Sequence, residues 1–152
     1  MASLTYRRRP VTDQDLEWLV TLRTLTMVPH LEASGYVFDD ADNTARVTQD
    51  YDSIQVIQHA GRDVGMLKVL RSSEVWQLIQ IQIHPDHQSL GLGGRVLDDL
   101  IKEAFEHGKS LSLSVLKVNP AQRLYLRHGF VVESESEGAY QMILNMPTDL
   151  SR

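Results

Sequence analysis

The segment Ile81-Gln82-Ile83-His84-Pro85-Asp86-His87-Gln88-Ser89-Leu90-Gly91-Leu92-Gly93-Gly94 constrains this chain more than any other. An apolar-rich strand enters a short polar turn, and the turn ends in Gln-x-x-Gly-x-Gly at the head of an amphipathic helix. The first N–H groups of a helix have no intrahelical partner and lie at the positive end of its dipole. Glycines let an anion come close to that backbone. The segment therefore has the features of a site for a diphosphate-bearing cofactor. It is not a Walker loop, because no Gly-Lys-Ser/Thr follows. It is a poor dinucleotide fingerprint, because Val96 stands where the third glycine belongs. A glycine-softened strand-to-helix turn without a ligand is the competing reading of the glycines alone.

A second pattern lies at Leu116-Lys117-Val118-Asn119-Pro120-Ala121-Gln122-Arg123-Leu124-Tyr125-Leu126-Arg127-His128-Gly129-Phe130, after the serine-interleaved strand Ser110–Val115. Asn119 suits an N-cap and Pro120 the first helical position. Ala121, Leu124 and Tyr125 share one helical face, and Gly129 supplies the stop. With both patterns in place, the chain resembles the GNAT acetyltransferase superfamily. Gln88-x-x-Gly91-x-Gly93 is similar to its acyl-CoA pyrophosphate loop. The stretch from Asn119 and Ala121 through Tyr125-x-x-x-Gly129-Phe130 is similar to its second cofactor motif. The order of elements resembles the family over nearly the whole chain, and the motifs match over about residues 76–131.

Composition fits one compact domain spanning 1–152. Hydrophobic residues make up 42% and charged residues 23%, which is ordinary for a globular protein. With no cysteine, disulfides and thiolate chemistry are excluded. No apolar run reaches the roughly 18 residues of a membrane helix, and the N-terminus lacks a signal-like apolar region. The expectation is a cytoplasmic protein with no membrane or nucleic-acid partner. A net charge of −5 argues against general nucleic-acid binding. The basic run Arg7-Arg8-Arg9 reads as a solvated strand end. An acidic protein still holds an anionic cofactor when local amides and a helix end face it.

Read along the chain, Leu4–Arg9 is a strand, and a helix capped at Thr12 runs through Leu16, Leu19 and Leu22 until Pro29 breaks it. His30–Tyr36 is a second short helix closed at Gly35, Phe38–Asn43 an acidic loop, and Thr44–Tyr51 a further helical segment. Ser53–His59 and Val64–Leu70 are strands flanking a turn at Gly61-Arg62-Asp63, and Val75–Ile83 is the central strand. Leu92–His107 is the clearest helix, with Leu92, Val96, Leu97, Leu100, Ile101, Ala104 and Phe105 on one face. Phe130–Ser136 and Ala139–Met146 form a last hairpin, whose edges could pair between two copies in a homodimer. The resulting class is α/β (mixed α+β), with a central mixed, mostly antiparallel sheet of about six to seven strands and helices on both faces. On the central strand the apolar phase flips between Leu78 and Ile79. A β-bulge or burial on both faces would explain it.

The resemblance implies acetyl-CoA as co-substrate and an amine acceptor attacking directly in a ternary complex. Backbone amides of Gln88, Ser89, Leu90, Gly91, Leu92, Gly93 and Gly94 would hold the diphosphate. The backbone of Ile81 and Ile83 would pair with the pantetheine arm, and an N–H near Ile83 would polarise the thioester carbonyl. Tyr125 is the candidate general acid, protonating the departing thiolate; packing as a core aromatic is its alternative. Asn119 contacts pantetheine, caps its helix, or does both. The general base is open. Gln77 stands near the position where some family members carry a strand glutamate, and an amide cannot take that proton. His30 and Glu32 lie where the family often builds its acceptor pocket. His84, Asp86 and His87 lack a third strong ligand for a metal, so no metal is expected. A non-catalytic acyl-CoA-binding or protein-interaction module of the same fold is the competing reading.

Overall fold

The structure is a computed structural model that describes residues 5–33, 35, 39–72 and 74–147. Its strands are β1 (Arg7–Pro10), β2 (Ile54–His59), β3 (Arg62–Arg71), β4 (Val75–Ile83), β5 (Ser110–Leu116), β6 (Val131–Glu135) and β7 (Ala139–Leu144). Its helices are α1 (Leu16–Ala33), α2 (Asp40–Thr48), α3 (Leu92–Glu106) and α4 (Ala121–Arg127). The strands form one seven-stranded sheet in the order β1-β2-β3-β4-β5-β7-β6. The β1–β2, β2–β3, β5–β7 and β6–β7 pairs are antiparallel. The β4–β5 pair is parallel, runs from Val75↔Ser110 to Leu78↔Leu113, and ends there.

Contacts divide the chain into two compact units, Met1–Lys68 with Gln80–Gly93, and Val69–Ile79 with Gly94–Arg152. In the first, Leu19 and Leu22 of α1, Val47 of α2, Ile54 of β2 and Met66 of β3 form one buried cluster. Burying a side chain of this size contributes about 1.5–3 kcal/mol, so these five positions dominate the association of the two helices with the strands. Lys68 of β3 is buried as well, 1% exposed. Its ammonium donates to the carbonyls of Arg46 (2.9 Å), Val47 (3.1 Å) and Gln49. Those are the carbonyls a helix end leaves unpaired, so Lys68 caps α2 from inside the sheet. In the second unit, Val96, Leu97, Leu100 and Ala104 of α3 are fully buried, as are Leu111 of β5 and, almost fully, Phe130.

Three expectations are corrected. The first helix runs through Pro29 to Ala33. Proline removes the bond to the carbonyl four residues earlier, at Leu25, and both residues lie on the exposed side where water can replace it. His30 and Glu32 thus belong to α1 rather than to a second helix; Gly35 follows with φ +80, while Ser34 and Tyr36 to Phe38 lie outside the described residues. The acidic run opens α2 instead of looping: the Asp39 carboxylate accepts from Ala41 N (2.9 Å) and Asp42 N (3.3 Å), and the following carboxylates complement the helix dipole. The β2–β3 turn falls at Ala60 and Gly61, both with positive φ (53 and 78). That is the arrangement of a two-residue hairpin turn, and it extends β3 back to Arg62.

Burial along β4 alternates from Val75 to Ile79. Trp76 and Leu78 are buried, Gln77 is exposed, and Ile79 is 42% exposed. Past the flip Gln82 and Ile83 are both buried, so that end of the strand is covered on both faces, one of the two explanations offered. The alternation holds as far as Ile79, which it turns outward; Gln80 is half-buried and Gln82 buried. The side-chain oxygens of both glutamines are buried without a partner among the described residues. β3 approaches this end of β4 closely. His84 N donates to Val64 O at 2.7 Å, and a Cβ on Gly65 would lie 2.4 Å from Gln82 O.

Candidate active site

The segment from Ile83 to Gly94 makes the strand-to-helix passage the sequence predicts, with internal bracing. After β4 the chain turns through Pro85–Leu90 as a 3₁₀ segment, reaches Gly91 at φ +76, and enters α3 at Leu92. The left-handed conformation at Gly91 strains any residue with a Cβ. The His84 ring accepts at Nδ1 from Asp86 N (3.1 Å), and His87 N donates to His84 O (2.8 Å). Gln88 Nε2 donates to the carbonyl of Ile83 (3.0 Å). The side chain of Gln88 therefore ties the loop to the end of β4. Leu92 is fully buried, while Ser89, Leu90 and Gly91 are exposed. The loop is anchored at both ends and open at its centre, which suits backbone amides that receive an anion.

Gly94 lies in the first turn of α3. A Cβ there would meet the His128 ring at 3.7 Å and Leu124 Cδ1 at 3.8 Å, both ordinary contacts. His128 Nδ1 lies 2.8 Å from Leu124 O, and its Nε2 lies 3.1 Å from the Asp98 carboxylate. The last turn of α4 is thereby tied to the first turns of α3.

Asn119 Oδ1 accepts from Ala121 N (2.9 Å), so the capping role expected of it is present and its amide NH₂ remains available for a second partner. Tyr125 is 7% exposed and meets Phe130 edge to face, with centroids 5.8 Å apart. Its backbone carbonyl accepts from Phe130 N (3.1 Å), which closes α4 at Gly129. Burial pushes the phenol up to about 12, which keeps it protonated at neutral pH. Gln77 is exposed on β4; on α1, Glu32 is exposed and His30 half-buried.

Sequence reasoning passed over a buried polar group in the first unit. Arg23 of α1 is 8% exposed and Asn43 of α2 is 1% exposed. Arg23 Nη1 donates to Asn43 Oδ1 at 2.6 Å, and Asn43 Nδ2 donates to Val20 O (3.3 Å) and Thr24 Oγ1 (3.1 Å). The signal was in the pattern: Arg23 falls four residues after Leu19 and four before Met27, on the inward face of α1. Lys68 likewise interrupts the apolar run Val64–Leu70. The third residue of the basic run is also structural. The Arg9 guanidinium grips Asp15 (2.8 and 2.9 Å) and Asp63 (2.8 Å), and holds the Asp15 carboxyl down at about 2.

The match to known proteins agrees with this arrangement. A model of the acetyltransferase (GNAT) domain matches residues 50–132, more than half of the chain. The chain belongs to the GNAT acetyltransferase family. Solved structures carry the same fold. The PaiA N-acetyltransferase of Thermoplasma acidophilum, in complex with coenzyme A, aligns with a TM-score of 0.74 at 14% identity, over 93% of this chain and 99% of that one. An acetyltransferase of Thermus thermophilus aligns with a TM-score of 0.74 at 21% identity, over 95% and 99%. The ribosomal-protein-S18-alanine N-acetyltransferase of Escherichia coli aligns with a TM-score of 0.69 at 19% identity, over 96% and 98%. A search of curated proteins gives no match.

Proposed function

We propose that the protein is an acetyl-CoA-dependent N-acetyltransferase acting on a primary amine. The observation that carries this is the braced turn from Gln88 through Gly91 into α3, in a chain of the GNAT family. The backbone amides from Gln88 to Gly94 would take the diphosphate at the positive end of α3. Ile81 and Ile83 would offer backbone groups to the amide-rich pantetheine arm. The Gln88 bond occupies one lone pair of the Ile83 carbonyl and leaves the Ile83 N–H as the candidate donor to the thioester oxygen. Tyr125 would supply the proton to the departing thiolate, and Asn119 would contact pantetheine through its NH₂. Neither Gln77 nor any other residue of β4 supplies a carboxylate base, so deprotonation of the amine falls to water or to His30 or Glu32.

Calorimetry with coenzyme A tests the foundation. Binding in the micromolar to low millimolar range is expected, together with a raised melting temperature, because a ligand that binds only the native state stabilises it by mass action. No heat and no shift at millimolar cofactor would remove the reading. Gln77 in place of a carboxylate favours a second reading, acyl-CoA binding without turnover. Incubation with acetyl-CoA, a panel of amines and a thiol reagent separates the two, since only turnover releases free thiol.

A further inference from the structure

We propose that Arg23 is the anchor for a carboxylate on the acceptor, so that the amine substrate is an amino-acid-like molecule or a peptide bearing a free carboxylate. This rests on the acetyltransferase reading and names the substrate class within it. A buried guanidinium normally has its N–H groups satisfied, because each one left unpaired costs desolvation free energy. Arg23 does not meet that standard. Its Nη1 bonds to Asn43, its Nε is buried with no partner, and no carboxylate of the described residues pairs with it. The donors left over are Nε and Nη2, which lie side by side on one edge of the guanidinium. A carboxylate takes that edge with two parallel bonds.

The fork is also held in place. Asn43 is fixed by two bonds to α1, through Val20 O and Thr24 Oγ1, and presents its oxygen to Nη1. Those bonds join α1 to α2 without any help from Arg23, so the arginine is not needed as a staple. Met27 and His30 continue its stripe along α1 at i+4 and i+7. The stripe therefore leads to the residues expected to face the acceptor. The charges of Asp42 and Arg46 act on the guanidinium in opposite senses and neither pairs with it, so the buried cation costs stability, and an incoming carboxylate would offset that cost.

The test uses the full chain and paired amines that differ in the carboxylate: β-alanine against propylamine, phenylalanine against phenethylamine, lysine against cadaverine. Coenzyme A release gives kcat/KM for each. The carboxylate-bearing member should be preferred by about tenfold or more, the scale of a charge-assisted pair. Arg23→Met should abolish that preference, lowering kcat/KM for the carboxylate-bearing member about tenfold more than for the plain amine, and keep or raise the melting temperature. Arg23→Lys, which keeps the charge but not the fork, should restore only part of the preference. Equal preference in wild type and Arg23→Met overturns the proposal. So does a fall in melting temperature with equal loss on both members of each pair, which is the signature of a packing role.

A binding arm is independent of turnover. The coenzyme A-loaded protein is titrated with N-acetyl-β-alanine and with N-propylacetamide by calorimetry. Binding of the first alone, lost in Arg23→Met, supports the anchor even where no amine is acetylated, in which case it is the acetyltransferase reading that falls. Identical titrations of wild type and variant, with coenzyme A bound in both, overturn the anchor and leave the cofactor reading standing.

Discussion

Arg9 and Asp15 show how a single charged pair can set the acid limit of a fold. The folded carboxyl of Asp15 sits at about 2, against 3.8 when free, first because Arg9 donates to it and also because Thr12 does. A carboxyl with a depressed folded value adds stability that is present above the unfolded value and lost as pH falls through the folded one. Asp63, lowered by the same arginine, acts in the same direction. Thermal unfolding followed between about pH 4 and 2 should therefore show a steep loss of stability, and Asp15→Asn should flatten part of that slope while lowering stability at pH 7. Tyr125 has a different test. Tyr125→Phe keeps the ring against Phe130 and removes only the hydroxyl. If the phenol is the acid, single-turnover acetyl transfer should slow by about a hundredfold or more while coenzyme A affinity holds. An unchanged single-turnover rate would return Tyr125 to a packing role.

At the scale of the element, the glycines of the turn into α3 do different jobs, and this decides which substitution is informative. Gly91 is in the left-handed region with open space around its missing side chain. Gly91→Ala would strain the backbone by about 1 kcal/mol whether or not a cofactor binds. Gly94 has ordinary φ and ordinary room. Gly94→Ala should leave stability unchanged or raise it by roughly 0.5–1 kcal/mol, and because its methyl would face His128 and Leu124 of α4, coenzyme A affinity should stay within a few-fold of wild type. Calorimetry and a melting curve on the same sample check both halves. Gly65→Ala on β3 behaves otherwise. Its Cβ would meet the Gln82 carbonyl at 2.4 Å, so the strands must part, and the loss of stability should exceed the ordinary range of about 0.5–3 kcal/mol for point changes.

These elements also show what the sequence could and could not convey. α3 was legible to within a residue because its apolar period is clean and Gly91 and Gly108 bracket it, and β4 because it is a long apolar-rich run between the Ser72-Ser73-Glu74 stretch and Pro85. The acidic start of α2 read as a loop, because a carboxylate run favours water until one of its members, Asp39, caps a helix. Pro29 read as a stop because its cost depends on whether water reaches the Leu25 carbonyl, which only the fold decides. The Gln88-x-x-Gly91-x-Gly93 turn was visible as a motif. The Gln88 bond to Ile83 and the Arg23–Asn43 fork were not, since each depends on which side of an element faces inward.

On the scale of the whole molecule, two features of the surface matter. No helix among the described residues is long and apolar enough to cross a membrane. The sheet ends at β6, whose five residues are all exposed and include Val131 at 55% and Val132 at 45%. A register shift between Val132 and Ser134 and the carboxylates of Glu133 and Glu135 interrupt that edge, a pattern that discourages strand addition by other chains.

The lysine inside the sheet gives this protein a built-in recorder of its own opening. Burial lowers the Lys68 amine to about 8, so at mildly alkaline pH a large share of it is the uncharged, acyl-accepting form. Yet it is walled in and engaged by three carbonyls, so an acyl donor reaches it only when α2 and β3 come apart. Under a small amine-reactive ester at pH 8, exposed Lys102 should be modified at once and Lys68 at the rate of unfolding. Peptide mass spectrometry over time would then read the unfolding rate directly, and early labelling of Lys68 would show that α2 detaches before the sheet does.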